Sequence, residues 1–161
     1  MGRSLPPLLR AAYLRVGDGG FGPGYGLLPL FADDNTDGDE SVVSLYQSFS
    51  LADPEDPGWQ WPVQLVPFCD WGCAIRSCVD CSSELGAILT FDPNGYGPGE
   101  PFASTIAQTH ASIDAWFFDW LEDVDIWNLM FEPDPENSKA GINPFTKAPM
   151  TFKAMKLRRP D

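Results

Sequence analysis

Six glycines lie between Gly17 and Gly26, and they constrain the fold more than any other feature of the sequence. Each glycine in a helix interior costs about 1 kcal/mol relative to alanine, so this segment is not helical. The residues before it carry apolar side chains at helical spacing, behind two prolines that suit a first helical turn. The spacing predicts a helix whose core face is formed by Leu5, Leu8, Leu9, Ala12, Tyr13 and Val16. After the glycines, Leu27–Leu30 predicts a short edge strand.

Along the rest of the chain, the spacing of the apolar residues changes from helical to extended and then back to helical. A second helix is predicted from Ser41 to Phe49. Three short apolar runs, separated by turn residues, then indicate an antiparallel meander: Leu65–Cys69, Cys73–Val79 and Ala87–Phe91. A third helix is predicted over four turns, with one apolar face formed by Ile113, Trp116, Phe117, Trp120, Leu121, Val124 and Trp127.

The sequence therefore predicts an α+β fold, with an antiparallel sheet flanked by about three helices. At 161 residues, and without repeats, the chain fits a single domain spanning residues 1–161. Residues 133–161 are rich in Pro, Asn and Lys, and we expect a loop-rich basic segment there, with a possible short strand at Met150–Met155.

Charge is distributed unevenly along the chain. The formal net charge is −13, but residues 1–138 hold four basic and 22 acidic side chains, whereas residues 139–161 hold six basic and one acidic. The acidic part disfavours direct binding to nucleic acid or to an anionic membrane, and favours a cationic partner. An acidic surface that only maintains solubility remains an alternative.

The sequence also suggests where the protein acts. No apolar run reaches the roughly 18 residues of a membrane span. The start of the chain, Met1-Gly2-Arg3-Ser4, has no secretory signal pattern. We therefore expect a cytoplasmic protein with reduced cysteines.

Four cysteines raise the question of zinc. Cys69, Cys73, Cys78 and Cys81 are spaced C-x3-C-x4-C-x2-C. Only the last pair has the spacing of a zinc knuckle, and the residues between the cysteines resemble strands, whose side chains alternate between faces. We expect buried thiols packed in a sheet, and no metal or other cofactor.

Catalysis has little support in the sequence. His110 is the single histidine, and no nucleophile motif accompanies it. A polar side chain near the start of a helix is the simpler interpretation, so we expect that the protein is not an enzyme.

One aromatic residue of the third helix falls outside the apolar face. Phe118 lies among Asp114, Glu122 and Asp125. An aromatic residue surrounded by charges is typical of an interface anchor, although a second core contact is an equal alternative.

Several motifs resemble the SUKH superfamily, which includes a yeast cell-wall assembly regulator and many bacterial immunity proteins. They are Leu5-Pro6-Pro7-Leu8-Leu9-Arg10, the block Gly19–Leu28, Trp61-Pro62, Cys69-Asp70-Trp71-Gly72-Cys73, Val79-Asp80-Cys81 and Asn143-Pro144-Phe145-Thr146. Asp18 stands where the family usually has Asn before the two glycines, a change that keeps the turn chemistry.

The resemblance implies an α+β fold and a protein that binds and neutralises a toxin by direct contact. We expect the partner to be a basic toxin domain, and the chain to be a monomer or a weak homodimer. An intracellular regulatory or scaffold module of the same family is the alternative. The expected partner-binding residues are Asp33, Asp34, Asp37, Asp39, Glu40, Asp53, Glu55, Asp56, Phe118 and Glu122.

Overall fold

A computed structural model describes residues 4–32, 40–51, 55–97, 100–142, 147 and 149–159. Its main sheet has five antiparallel strands in the order β1-β2-β3-β4-β5. The strands are β1 (Gly26–Leu27), β2 (Leu65–Asp70), β3 (Arg76–Asp80), β4 (Ile88–Phe91) and β5 (Ile106–His110). The predicted α+β class and the meander are confirmed, and an edge strand is present, although it spans Gly26–Leu27 instead of Leu27–Leu30.

The helices within the described residues are α1 (Pro7–Arg15), α2 (Val42–Ser50), α3 (Ile113–Leu121) and α4 (Ile126–Met130), with short 3₁₀ turns at Pro93–Gly95 and Phe102–Thr105. The start of α2 is fixed because Ser41 and Ser44 each accept a hydrogen bond from the other's backbone N–H. Ser112 caps α3 in the same way, by accepting from the Ala115 N–H at 3.1 Å. None of these helices is long and apolar enough to cross a membrane.

The sheet carries a different core on each face. Strand residues such as Val66, Phe68 and Val79 pack against the helices, where Trp116 meets Phe68 edge-on at 5.0 Å. On the other face an aromatic cluster forms around Trp59, Trp61, Phe91, Phe102 and Tyr96. The alternation of side chains along β2 to β4 therefore produces two separate apolar layers.

The glycine-rich segment returns the chain from α1 to the sheet edge. Gly19 has φ +84°, and a Cβ there would lie 2.6 Å from the Pro29 nitrogen, so no other residue fits. Asp18 accepts a hydrogen bond from the Leu30 N–H at 2.7 Å, and the Tyr13 hydroxyl donates to the Leu28 carbonyl at 2.8 Å. These bonds attach β1 to α1.

The predicted third helix is wrong in its length. It ends at Leu121, Asp123 takes a positive φ of 58°, and α4 begins at Ile126 with Asp125 as its cap. The apolar repeat continues through this break, because Ile126 and Met130 are again buried, whereas Leu121 and Val124 are exposed. Periodicity alone therefore could not show the interruption.

The expectation of a loop-rich end is wrong for the residues described there, although the possible strand at Met150–Met155 lies within a longer strand. Two further strands, β6 (Phe131–Ile142) and β7 (Pro149–Leu157), pair antiparallel from Phe131↔Leu157 to Ile142↔Pro149 and are referred to below as the C-terminal hairpin. The register shifts between Asp134 and Lys139, so Pro133 and Pro135 are accommodated in an irregular, two-stranded sheet. Strand β5 lies in a segment for which no strand was predicted.

Candidate partner-binding site

A groove of ≈ 940 Å³ lies between α1 and α3 and is open to solvent. Phe118 stands at its side and is 62% exposed, and Leu121 is 72% exposed. From α1, Leu8 and Val16 are exposed as well. The base of the groove is aromatic, since Trp120 contacts Phe21 and Phe117 with ring centroids 6.4 and 6.2 Å apart. The groove is thus a continuous apolar surface in contact with water.

The predicted core face of α1 is correct for only part of the helix. Leu9 and Tyr13 are buried, whereas Leu8 is exposed and Val16 is 68% exposed. A helix that packs against another helix and a sheet buries only the residues along one face, so apolar residues beside that face remain at the surface. Here those residues form one wall of the groove.

The composition of α3 explains the other wall. Residues 113–121 read IDAWFFDWL, so apolar side chains occur on all sides of the helix. Ile113 and Trp116 are fully buried, which leaves Phe118 and Leu121 on the opposite side. Apolar residues on all sides of α3 were therefore the sequence feature that indicated an exposed apolar surface. Of these residues, the sequence analysis named only Phe118 as a binding residue.

Acidic residues border the groove. Asp114 and Asp119 line it, and the exposed Glu122 follows Leu121 at the end of α3. Arg15 is the basic residue among its described lining residues. Phe118, one of the expected binding residues, therefore lines the groove, and Glu122, another, directly follows its last lining residue, Leu121.

The remaining acidic residues do not all join this site. Asp33, Asp34, Asp37, Asp39 and Asp53 lie outside the described residues. Asp56 accepts a hydrogen bond from the Gly58 N–H at 3.1 Å, beside Trp59 and Tyr96. Asp56, with its neighbour Glu55, belongs to the side of the sheet that carries the aromatic cluster, away from the groove.

Glu40 is held by a buried arginine. Arg76 on β3 forms an ion pair with Glu40, and its other terminal nitrogen lies 2.6 Å from Asp70 Oδ1. The Arg76 side chain is buried, so the three groups form a partly desolvated network. This network anchors Glu40 to the sheet and neutralises part of its charge.

The four cysteines occupy different environments. Cys69 belongs to the core on the helical face, Cys78 to the aromatic cluster, and Cys73 is exposed in a turn. Burial raises the pKa of the Cys69 and Cys78 thiols, which disfavours the thiolate that zinc requires. Among the described residues, no group of three or more His, Cys, Asp or Glu side chains is placed to hold a metal ion.

His110 lies on β5 and is buried. Its Nε2 is 3.2 Å from Asp119 Oδ2 on α3, and its buried Nδ1 has no hydrogen-bond partner among the described residues. Burial lowers the pKa of His110, and Asp119 partly opposes this shift. The His110 side chain as a whole is 4% exposed.

The fold and groove define an α+β domain with an exposed apolar site on its helical layer. A model of the SMI1 / KNR4 family (SUKH-1) matches residues 1–119, and the chain belongs to that family. The resemblance seen in the sequence motifs is thereby confirmed. No curated protein and no solved structure shows significant similarity to the chain.

Proposed function

We propose that this protein is a cytoplasmic immunity protein, which binds a basic toxin domain and neutralises it by direct contact. Membership of a family that includes toxin-immunity proteins supports this proposal. The observation that carries it is the exposed apolar groove between α1 and α3.

The groove has the composition of a protein interface. Large exposed apolar surfaces are rare in monomeric proteins and mark binding sites. Aromatic residues in the centre of an interface supply most of the binding free energy. Phe118 would act as the anchor, and Trp120 and Phe21 would form the surface against which the partner packs.

Charge supports a basic partner. The chain carries a formal charge of −13, and Asp114, Asp119 and Glu122 border the groove. Such a surface steers a cationic protein toward the site and raises its association rate more than its affinity. The acidic segments 33–40 and 53–56 contribute to the negative charge of the whole chain.

The environment of His110 supports binding rather than catalysis. Its Nε2 faces Asp119 and its Nδ1 is buried, so the imidazole is not positioned to act as a general base. Its structural contribution is a link between β5 and α3, the helix that carries Phe118.

The test begins with the gene beside this one. If that gene encodes a secreted toxin-type protein, its C-terminal domain is expressed in a test bacterium with and without this chain. We expect co-expression to restore growth and the two purified proteins to bind. Absence of both rescue and binding contradicts the immunity proposal. A neighbouring gene without toxin features would favour a regulatory binding module.

The role of the groove is tested with a matched pair of variants. Phe118→Ala is expected to accelerate dissociation from the toxin domain by about tenfold or more, because an interface anchor is lost. Phe31→Ala is the control, since Phe31 is 68% exposed but does not line the groove. Equal dissociation rates for the two variants, measured by surface plasmon resonance, would place the binding site elsewhere.

A further inference from the structure

The two walls of the groove are helix faces of equal length. Leu8, Ala12 and the C-cap residue Val16 recur every four residues along α1, so they form one row on its surface. Phe118 and Leu121, three residues apart, form the corresponding row on α3. Helices α1 and α3 have nine residues each. At a rise of about 1.5 Å per residue, each wall is roughly 13 Å long, which matches about two and a half turns of a further helix.

An extended segment would be a poor occupant of this groove. Most of the lining residues lie within α1 and α3, where backbone N–H and C=O groups are hydrogen-bonded along the helix. No strand residue is among the lining residues that the structure describes, so these offer no open sheet edge. An extended segment would lose water from its backbone groups there without gaining partners. A helix pairs its own backbone groups and presents only side chains, so the groove favours a helix.

The charged residues differ between the two walls. Along α3, Asp114 lies four residues before Phe118 and Glu122 lies four residues after it, and both acidic residues are exposed. Residues four apart are neighbours on a helix surface, so a carboxylate lies at each end of the apolar row. The α1 wall instead carries the exposed Arg15. A bound segment therefore meets negative charge on the α3 side and positive charge on the α1 side.

We propose that the groove binds an amphipathic helix of the partner, with an apolar stripe along its centre and Lys or Arg on the side that faces α3. The stripe consists of side chains at i, i+3 or i+4, and i+7, which pack between the rows of α1 and α3. The small side chains of Ala11, Ala12 and Ala115 line the groove and let the third helix approach closely. The inference rests on the proposed function, because it takes the groove as the site of partner binding, and it names the part of the partner that enters.

The test uses synthetic peptides and the purified full chain. The first peptide has about 16 residues, enough for an isolated helix, with Leu in one helical stripe, Lys along one side of it, and Ala and Gln elsewhere. A second peptide has the same composition in scrambled order, and a third has Glu in place of Lys. Binding is measured by titration of the isotope-labelled chain in proton–nitrogen NMR spectra.

The indole N–H signals of two tryptophans report the location of binding. Trp120 lines the groove, whereas Trp59 belongs to the aromatic cluster on the other face of the sheet, and Trp→Phe variants assign the two signals. We expect the patterned basic peptide to shift the Trp120 signal and to leave the Trp59 signal in place. The scrambled and the acidic peptides should bind at least about tenfold more weakly, because one lacks the stripe and the other has the wrong charge.

Matched variants separate the groove from general charge effects. Val16 and Leu14 are 68% and 67% exposed on the same helix, and of the two only Val16 lines the groove. Val16→Lys should weaken binding of the basic peptide by about tenfold or more, whereas Leu14→Lys adds the same charge and should bind as wild type does. Asp114→Asn should weaken binding severalfold, and Glu136→Gln, outside the groove, should not. An unchanged Trp59 signal shows that each variant is folded.

Equal binding of the patterned and scrambled peptides, preference for the acidic peptide, or equal binding by Val16→Lys and Leu14→Lys would overturn the proposal. A Trp120 signal that shifts when the chain alone is concentrated would place a second copy in the groove and would overturn it as well. The two proposals fail separately, because the probe is a peptide. Peptide binding without rescue from the toxin contradicts the immunity role alone, and rescue without peptide binding contradicts the helix alone.

Discussion

The body of the molecule and its C-terminal hairpin are stabilised in different ways. The body, up to Met130, has an apolar layer on each face of a five-stranded sheet. The hairpin pairs with itself and is fixed at its base by Phe131, Arg158 and Arg159. The family match spans residues 1–119 and so ends before the hairpin begins. The comparison indicates that the body carries the fold, and that substitutions in the distal hairpin should barely affect global stability.

The largest expected effect comes from the centre of the body. Trp116 is completely buried and packs on Phe68 and Phe117. Trp116→Ala should lower the free energy of unfolding by about 3–5 kcal/mol, because a large cavity opens in the core. Ile142→Ala, in the exposed part of the hairpin, should change it by less than about 0.5 kcal/mol. Chemical denaturation measures both, and equal losses would show that hairpin and body form one cooperative core.

Ion pairs provide the next comparison. Arg76 is buried and pairs with the partly exposed Asp70 and the exposed Glu40, whereas Lys156 on β7 pairs with Glu132 at 3.5 Å at the surface. Arg76→Ala should cost about 3 kcal/mol, because it leaves carboxylates without their buried partner. Lys156→Ala should cost less than about 1 kcal/mol. Denaturation of the two variants at the same salt concentration tests this, and a small loss for Arg76→Ala would mean that water replaces the guanidinium at little cost.

These regions also differ in how far the sequence predicts them. In the body, the glycine segment, the three apolar runs and the helix beginning near Ser41 are local signals, and strands β2 to β4 follow from them. Exposure of Leu8, Val16 and Leu121 depends instead on how α1 meets α3, which no local pattern specifies. The turn at Asp123 lies within an uninterrupted apolar repeat, so it too was missed.

Strand β6 was missed for a different reason, whereas the possible strand at Met150–Met155 lies within β7. Strand β6 contains Pro133 and Pro135 and a register shift, so it lacks the alternation by which strands are recognised. For the candidate site, Phe118 and Glu122 could be selected from the charge pattern of one helix. The partnership of Glu40 with Arg76 joins residues far apart in the sequence, and only the fold brings them together.

A smaller, pH-dependent effect is expected in the body. The pKa of His110 lies below its ordinary value because the imidazole is buried, so the unfolded chain takes up a proton more readily than the folded one. The contribution of neutral His110 is fully present above about pH 6.5 and is lost as pH falls toward the folded-state pKa. Denaturation of wild type and His110→Gln at about pH 7.5 and about pH 5.5 checks this. The wild type should lose more stability than the variant, and parallel losses would contradict the assignment.

A small effect on global stability, but a clear local one, is expected at the junction of the two regions. The Arg159 guanidinium donates to the carbonyls of Ser104 at 2.7 Å, Ile106 at 3.0 Å and Ala103 at 3.3 Å. It thereby holds the end of the hairpin against β5 and the 3₁₀ turn before it. Because the residue is exposed, Arg159→Lys should lower the free energy of unfolding by less than about 1 kcal/mol. Lysine retains the charge but not the planar set of donors, so these bonds should be lost while long-range attraction is kept.

Amide hydrogen exchange should then become faster in β6 and β7, and remain unchanged in β2, β3 and β4. Faster exchange throughout the sheet would show that the hairpin base stabilises the body as well, and unchanged exchange in the hairpin would show that Phe131 and Arg158 are sufficient to hold it.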